Sequence, residues 1–251
     1  AGYEVQKATT NKFISIALEL GGKDPAYVRH DADVEKTVEN LVDGSFFNSG
    51  QSCCGIERIY VDKKIHNNFL EFFINKTYEY KLGNPLNKDT NLGPVVKLSA
   101  AKFIKNQINL AVKKGAKMMI DKSKFDYPKE HENYMIPQVL TEVNHEMDFM
   151  MKETFGPCVG IMPVANDKEG INLMNDSPYG LTASIWTKDI EVAEKLGDQV
   201  NTGTLFMNRC DYLDPGLSWT GVKETGKGCS LSEIGYENLT RPKSYHLKLN
   251  I

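Results

Sequence analysis

The stretch 46–54 of this 251-residue chain carries the residues best suited to chemistry. Phe46 and Phe47 end a helical pattern and lead through a breaker, Asn-Ser-Gly, into the adjacent thiols of Cys53 and Cys54. A cysteine just after a glycine at a helix-to-loop junction can lie among backbone N–H groups, which hold a developing oxyanion. The pattern makes Cys53 a candidate nucleophile, whereas a free cysteine taken alone is more often a small buried apolar residue.

A second stretch, Leu18-Glu19-Leu20-Gly21-Gly22-Lys23, places one acid in an apolar strand pattern just before a Gly-Gly turn. A carboxylate between two leucines would be desolvated, which favours proton transfer near neutral pH. Taken alone, Glu19 is more simply interpreted as a helix cap or an ion-pair partner at a strand end. Its interpretation as a base depends on its combination with Cys53.

Together the two stretches resemble the aldehyde dehydrogenase superfamily, whose members carry the motifs L-E-L-G-G-K and F-x-N-x-G-Q-x-C. Glu19 occupies the glutamate position and Cys53 the cysteine position, and their separation along the chain also matches. A third family motif, E-x-F-G-P, appears at Glu153-Thr154-Phe155-Gly156-Pro157. Three motifs in family order are a much more specific signal than any one of them.

The resemblance implies oxidation of an aldehyde to a carboxylic acid, with NAD or NADP as the hydride acceptor. Cys53 is implied as the nucleophile that forms a thiohemiacetal and then a thioester, and Glu19 as the base that activates the hydrolytic water. On the same resemblance, Glu153 contacts the nicotinamide ribose hydroxyls and Phe155 lies beside the nicotinamide. The backbone carbonyl of Leu20 is implied as a further cofactor contact.

The resemblance also implies an aldehyde pocket, with the side chains of Phe47, Ser52, Cys54, Asn208 and Trp219 as its lining. Two positions depart from the family pattern. Trp219 stands where many members have a phenylalanine in P-F-G-G-x-K, and an indole with an N–H donor indicates a narrower pocket or one that hydrogen-bonds its ligand. Ser230, in Gly-Cys-Ser-Leu, replaces the acid of the frequent G-R-E-L, to which proton exit is sometimes assigned.

Composition argues against several classes of function. A net charge of −3 with 25% charged residues gives no case for a nucleic-acid or acidic-membrane partner. No apolar run approaches the roughly 20 residues that span a bilayer. The five cysteines, at positions 53, 54, 158, 210 and 229, lack regular spacing and are typical of reduced thiols in a cytoplasmic protein. Scattered histidines and the lack of a C-x-x-C pair predict no metal site.

The wider pattern predicts an α/β fold with a mostly parallel, twisted sheet flanked by helices. Strands are expected at 12–20, 56–61, 118–120, 134–140, 158–164, 182–187 and 203–207, and helices at about 31–46, 64–80, 98–115, 167–175 and 189–197. The strict alternation from 158 to 207 implies parallel pairing with crossover helices.

The resemblance divides the chain into the end of an NAD-binding domain at 1–20, a catalytic domain at 21–224 and a C-terminal segment at 225–251. Residues 243–249 alternate like an exposed strand, which seeks a partner. The resemblance implies that this strand joins the sheet of a neighbouring subunit in a homo-oligomer, a dimer or a tetramer.

Complete family members are about twice as long, so we expect this chain to be a C-terminal fragment. The amide that completes the family's oxyanion hole and the residues that hold the adenosine half of the cofactor would lie upstream. We therefore expect the chain by itself to oxidise no aldehyde at a useful rate.

Two other functions stay open at this point. A thiol ester hydrolase could use Cys53 and Glu19 without a cofactor, and it would turn over an activated ester in the absence of NAD. A truncated paralogue could act as a non-catalytic assembly partner. In that case Cys53 would be no more reactive than Cys158 or Cys210 toward an alkylating reagent.

Overall fold

A computed structural model describes residues 1–127 and 131–250, and a seven-stranded sheet lies at its centre. The strands are β1 (Leu18–Glu19), β2 (Asp24–Val28), β3 (Ile56–Asp62), β4 (Lys117–Met118), β5 (Gln138–Thr141), β6 (Cys158–Val164), β7 (Tyr179–Gly180), β8 (Thr182–Trp186), β9 (Thr204–Met207), β10 (Trp219–Thr220), β11 (Val222–Lys223), β12 (Gly226–Lys227) and β13 (Cys229–Ser230). The helices are α1 (Gly2–Ala8), α2 (Val34–Phe46), α3 (His66–Thr77), α4 (Leu98–Lys113), α5 (Asp148–Met151), α6 (Asp167–Asn175), α7 (Ile190–Gly197) and α8 (Ser232–Glu237).

The order of strands in the sheet is β4-β5-β6-β3-β2-β8-β9, and every neighbouring pair is parallel except β4 with β5. This confirms the predicted α/β class with a mostly parallel sheet. The remaining strands form three antiparallel pairs of two residues each, β1 with β12, β10 with β13, and β7 with β11. Residues 128–130 of the predicted catalytic segment and residue 251 of the C-terminal segment lie outside the described residues.

The sheet has a core on each face, as a parallel sheet requires. Along β2 and β3 successive side chains point to opposite faces: Tyr27 and Tyr60 join one cluster, and Ala26 and Ile59 join the other. Helices α4, α5, α6 and α7 cover the tyrosine face, and α2 and α3 cover the other. β3, which begins just after Cys53, is therefore buried along its whole length.

Helix α2 delivers the candidate nucleophile to the sheet. The Asp33 side chain accepts a hydrogen bond from the Lys36 N–H at 3.3 Å and caps the first turn. After Phe46 the chain passes through a short 3-10 turn in which Asn48, Ser49 and Gly50 all have positive φ. A left-handed run cannot continue a right-handed helix, so the chain reverses there and enters β3 through Cys53.

The predicted buried strand over residues 12–20 is wrong. Only Leu18–Glu19 pair as a strand, and Phe13 and Ile14 are exposed. The partner strand β12 is two residues long, because Gly226 and Gly228 at positive φ turn the chain at either end of it. The other boundary differences are smaller: β4 and β5 replace the strands predicted at 118–120 and 134–140, and α3 is shorter than 64–80.

The C-terminal segment carries no strand over residues 241–250, and all ten of these residues are exposed. A strand needs a partner edge to form its hydrogen bonds, so the oligomerisation strand at 243–249 stays a prediction. None of the helices in the two described ranges is both long and apolar enough to cross a membrane.

Candidate active site

The three motif loops pack against one another through glycines. A Cβ at Gly22 would overlap the carbonyl oxygen of Cys53, and a Cβ at Gly21 would overlap the carboxylate of Glu153. A Cβ at Gly50 would likewise overlap the carbonyl oxygen of Gly156. The glycines therefore permit an approach that no other residue type allows, and they bring segments far apart in sequence to one place.

A buried ion pair links two of these loops, the one that ends at Lys23 and the one that carries Thr154 and Phe155. Lys23 Nζ lies 2.5 Å from Glu57 Oε2 and donates to Thr154 Oγ1 at 2.9 Å. Glu57 also accepts hydrogen bonds from the N–H groups of Thr154, at 2.9 Å, and Phe155, at 2.8 Å. Sequence reasoning missed both charged residues. Lys23 was visible as the last residue of its motif, whereas Glu57 is a lone acid in a strand pattern and gave no signal.

Cys53 is exposed at the start of the loop that precedes β3. The neighbouring Cys54 thiol and the backbone N–H groups of both cysteines lower the pKa of Cys53 to about 7, against burial and the Glu19 carboxylate, which raise it. Glu19 is thus close enough to act on the sulfur electrostatically. A thiol with a pKa near 7 is substantially ionised at neutral pH, and the thiolate is the reactive form.

Cys54 is in a different environment, with 4% of its surface exposed. Its Sγ donates to Asp211 Oδ1 at 2.8 Å, and the Ser52 hydroxyl lies 3.3 Å from the same oxygen. The Cys53 thiol, burial and the Asp211 carboxylate raise the pKa of Cys54, so this side chain stays a neutral thiol. Asp211, in a left-handed conformation after β9, is a further residue that no motif revealed.

Glu19 lies on β1 and is exposed, so the expectation that its leucine neighbours desolvate it is wrong. The pairing of β1 with β12 is too short to cover its side chain. Its Oε1 accepts a hydrogen bond from the Ser230 hydroxyl on β13. The residue that replaces the family's acid therefore contacts the candidate base directly.

The cofactor candidates lie beside the Gly-Gly turn. Glu153 is half-buried, accepts the Gly22 N–H at 2.9 Å, and has a pKa raised by burial. Phe155 is 40% exposed at a φ of 54°, a conformation that non-glycine residues adopt mainly where surrounding contacts impose it. Leu20 is half-buried, and its N–H donates to the carbonyl of Thr225 at 2.9 Å.

The predicted pocket residues are only partly brought together. Cys54 and Trp219 pack against each other and against Leu181 in a small buried cluster. Phe47 is exposed on the 3-10 turn. The Asn208 amide is already engaged: it accepts the Thr187 N–H at 3.0 Å and donates to the Thr187 carbonyl at 2.8 Å, joining the ends of β8 and β9.

Arg58 completes the support of the site. Its guanidinium is buried, and its Nε donates to the Lys23 carbonyl at 2.9 Å. The other nitrogens donate to carbonyls at the C-terminus of α6, where a cation complements the helix dipole. Among residues 1–127 and 131–250, no group of three or more His, Cys, Asp or Glu side chains could hold a metal ion.

Comparisons with known proteins point to one family. Residues 1–245 match the aldehyde dehydrogenase family. Betaine aldehyde dehydrogenase of Bacillus subtilis is 30% identical over 243 residues, which are 96% of this chain and 50% of that protein. An aldehyde dehydrogenase of Agaricus bisporus is 32% identical over 247 residues, 98% of this chain and 49% of that protein.

Solved structures give the same result. Betaine aldehyde dehydrogenase from Staphylococcus aureus, in complex with NAD+, has a TM-score of 0.88 at 31% identity and covers 94% of this chain and 47% of its own. NADP-dependent glyceraldehyde-3-phosphate dehydrogenase from Bacillus halodurans, complexed with NADP, has a TM-score of 0.87 at 32% identity. The match covers 96% of this chain and 50% of that protein's chain. The chain thus spans about half the length of the relatives it matches. On the match over residues 1–245 and on the similarity of fold, the chain belongs to the aldehyde dehydrogenase family.

Proposed function

We propose that this chain carries the thiol chemistry of an NAD(P)-dependent aldehyde dehydrogenase, with Cys53 as the nucleophile and Glu19 as the base. The observation that supports this most directly is the packing of the three motif loops around one exposed thiol. Gly22 lies against the Cys53 carbonyl, Gly50 lies against Gly156, and Glu153 accepts from Gly22. Residues that would bind the aldehyde, the hydride acceptor and water therefore share one surface.

In the first step the Cys53 thiolate adds to the aldehyde carbonyl and forms a tetrahedral thiohemiacetal. The oxygen of that adduct bears developing charge, and backbone N–H groups at positions 53 and 54 are the donors this chain offers to it. Loss of hydride from the adduct leaves a thioester on Cys53. A thiolate suits both the first and the last step of this reaction, since it attacks readily and later departs as an acceptable leaving group.

Residues at the Gly-Gly turn fit the nicotinamide half of a dinucleotide. Glu153 offers a carboxylate that the Gly22 N–H holds through Oε1, which leaves Oε2 as an acceptor for ribose hydroxyls. Phe155 presents an exposed ring beside it, and the Leu20 carbonyl is a further candidate contact. When bound, NAD or NADP supplies the hydride acceptor. Neighbours with NAD+ and with NADP fit this chain equally well, so both stay candidates.

Hydrolysis of the thioester would then fall to Glu19. A water molecule that gives its proton to the Glu19 carboxylate attacks the thioester carbonyl and releases the carboxylic acid and the Cys53 thiolate. The Ser230 hydroxyl, which donates to Glu19, orients one of the two carboxylate oxygens.

We further infer a cytoplasmic homo-oligomer, supported by the five unpaired cysteines and by the exposed alternating tail.

The test is formation of NADH or NADPH from betaine aldehyde and from propanal, with the Cys53→Ser variant as the matched control. Because we expect the chain by itself to oxidise no aldehyde at a useful rate, the assay uses the chain fused behind the remaining N-terminal half of the Bacillus subtilis betaine aldehyde dehydrogenase. In that fusion we expect activity with at least one aldehyde and a loss of at least ~10³-fold in Cys53→Ser, because serine is a far weaker nucleophile than a thiolate. Glu19→Gln should still form the acyl-enzyme but should release the acid slowly. Acyl-Cys53 would then accumulate and be visible by mass spectrometry.

A second assay separates the rival functions. The protein is treated with 4-nitrophenyl acetate in the absence of NAD. Rapid, continuing turnover without any aldehyde-dependent NADH or NADPH would favour the cofactor-independent thiol esterase. A Cys53 that is neither acylated nor alkylated faster than Cys158 would favour the non-catalytic paralogue, and either result would overturn the proposal.

A further inference from the structure

A chain of hydrogen bonds runs from the surface of the molecule to the interior strand β3. Its outer end is the Asp176 carboxylate, which lies 2.6 Å from Nδ1 of His145. Nε2 of His145 lies 2.7 Å from the Tyr60 hydroxyl, and the Tyr60 oxygen accepts from Arg58 Nη1 at 3.2 Å. Asp176 caps the end of α6, His145 lies in the loop after β5, and the other two residues belong to β3. The chain therefore ties three elements together.

The partners of His145 assign one hydrogen to its ring. A carboxylate only accepts, so Nδ1 carries the hydrogen that it shares with Asp176. In the neutral ring Nε2 then accepts the O–H of Tyr60, and the Tyr60 oxygen is in turn free to accept from Arg58. The neutral form of His145 therefore satisfies every polar group in the chain.

A second hydrogen on His145 does not fit this arrangement. Nε2 would become a donor that faces the Tyr60 hydroxyl, where Arg58 already donates to the same oxygen. Tyr60 is fully buried, and in the described part of the chain its hydroxyl has no other acceptor. Protonation of His145 would thus leave a buried donor unpaired, which is costly. It would also place a second positive charge near the buried Arg58 guanidinium.

The surroundings of His145 oppose its protonation as well. Only 12% of its side chain is exposed. Burial lowers the pKa of His145, the hydrogen bond with Asp176 raises it, and the Arg58 charge lowers it again. Burial also raises the pKa of Tyr60, so that side chain stays a neutral hydroxyl.

Three further charged side chains lie around this chain of hydrogen bonds. Glu146 follows His145 in the loop and is exposed. Lys114, at the end of α4, donates to the backbone carbonyl of Glu146. Lys223 of β11 donates to two carbonyls at the end of α6, at 2.9 and 3.1 Å. None of these side chains shares a hydrogen bond with the His145 ring, so Asp176 and Arg58 are the charges that matter most to it.

Two routes connect His145 with the candidate active site. Through the chain of hydrogen bonds it holds Arg58, whose Nε donates to the carbonyl of Lys23 at 2.9 Å. Along the sequence it is followed by α5, where the Phe149 ring centroid lies 5.2 Å from Lys23 Nζ, and then by the third motif. Both routes meet at Lys23, which ends the Gly-Gly turn packed against the carbonyl of Cys53.

We propose that His145 is a positioning residue, which holds the motif loops in place when its ring is neutral and releases them when the ring gains a second proton. The release begins at Tyr60, because a protonated ring no longer accepts from that hydroxyl. The loop after β5 then separates from β3, and both routes to Lys23 are weakened. This inference goes beyond the proposed function, because acid would loosen the motif loops whatever reaction they carry.

The fold should lose stability in acid, and the sign follows from where the proton binds. In the unfolded chain His145 takes up a proton near the ordinary histidine pKa of about 6.5. In the folded protein its pKa is lower, so the unfolded state binds more protons below that pH. The stabilisation is therefore complete above about pH 6.5 and is lost as the pH falls toward the lower, folded value. One such group changes the folding equilibrium constant by at most about tenfold per pH unit.

The test is urea unfolding of the chain at pH 7.5 and at pH 5.0, in the wild type and in His145→Gln. Glutamine has a donor and an acceptor but takes up no proton in this range. Between the two pH values the folding equilibrium constant should fall by up to about 30-fold more in the wild type than in the variant. His246→Gln makes the same change on the exposed tail and should keep the wild-type loss. Equal losses in the wild type and in His145→Gln would overturn the proposal.

Asp176→Asn separates this role from a purely structural one, and it also covers the case in which His145→Gln does not fold. Asparagine can still accept from Nδ1 through its amide oxygen, but it lacks the charge that favours the protonated ring. The midpoint of His145 ring protonation, followed by NMR of its ring C–H groups, should therefore be lower in Asp176→Asn than in the wild type. An unchanged or higher midpoint would count against the proposal.

Hydrogen exchange measures the release at the site itself. After correction for the intrinsic effect of pH, amides of residues 146–157 should lose protection in the wild type between pH 7.5 and pH 5.0. Amides of the interior strand at 182–186 should keep theirs, and in His145→Gln the protection of 146–157 should not depend on pH. Protection of 146–157 that is the same at both pH values in the wild type would refute the release. None of these measurements uses an aldehyde or a cofactor, so their failure is distinguishable from failure of the dehydrogenase function.

Discussion

Cys53 and Cys158 show how differently the same side chain behaves at two places in this fold. Cys53 is exposed in a loop, where a neighbouring thiol and backbone N–H groups stabilise its thiolate. Cys158 begins the interior strand β6 and is fully buried, and burial raises its pKa. The difference comes from solvation and from the available donors, since the two thiols are chemically identical.

This contrast predicts the alkylation behaviour of the protein. Only the thiolate reacts, so the rate at Cys53 should rise with pH and level off above about 7, whereas the rate at Cys158 should keep rising through pH 9. At pH 7.5 we expect Cys53 to react at least ~100-fold faster, because exposure and ionisation both favour it. Iodoacetamide labelling followed by peptide mass spectrometry measures both rates in one sample. Equal rates would contradict the assignment of Cys53 as a nucleophile.

At the scale of elements, the Lys23–Glu57 pair joins β2 and β3 to the loop that carries Glu153 and Phe155. Glu57→Gln would leave the Lys23 ammonium buried without its counter-charge. We expect a loss of about 3–5 kcal/mol in the free energy of unfolding, the usual consequence of breaking a buried pair. Urea denaturation measures it.

The control for this change is Asp148→Asn, which removes one partner of the exposed Lys152–Asp148 pair. Exposed pairs contribute little, so this variant should stay close to the wild type. Similar losses in the two variants would show that Glu57 does not support the site. A stable Glu57→Gln variant would have the same meaning.

Gly50 and Gly115 provide a second matched pair of variants. Both glycines have positive φ, but a Cβ at Gly50 would overlap the Gly156 carbonyl, whereas a Cβ at Gly115 meets nothing within 4 Å. Gly115→Ala should therefore lower the free energy of unfolding only by the cost of backbone strain, of order 1–3 kcal/mol. Gly50→Ala should lower it clearly more. It should also slow alkylation of Cys53, because the nucleophile loop must move. Equal losses in the two variants would refute the proposed contact.

The sequence allowed prediction of elements whose determinants are local. Helix α2 begins where Asp33 can cap it, and it buries apolar side chains at helical spacing. The pattern of residues within the helix was therefore sufficient to predict it. The strand over 12–20 failed because its pairing depends on Gly226 and Gly228, which turn the partner strand. Glu57 and Asp211 were missed for the same reason. Their importance arises from neighbours that are remote in sequence, and a single acid carries no periodic signal.

At the scale of the whole molecule, the prediction concerns assembly. Residues 241–250 are all exposed, so their removal should leave the fold intact. Truncation after Thr240 should convert an oligomer to a monomer while the melting temperature of the monomeric fold stays unchanged. Light scattering after size-exclusion chromatography measures the mass. An oligomer that survives the truncation would exclude the tail as the contact.

The position of β3 in the sheet has a consequence for motion at the site. This strand lies between β6 and β2, with three strands on one side and three on the other, and the loop that carries Cys53 leads directly into it. Glu19 instead belongs to a ribbon of two paired residues at the margin of the molecule. Local opening is rarest in central strands and commonest in short marginal ones. Amide hydrogen exchange should therefore be slow at Ile59 and fast at Glu19, so the strand that anchors the Cys53 loop stays paired while the ribbon that carries the proton acceptor opens.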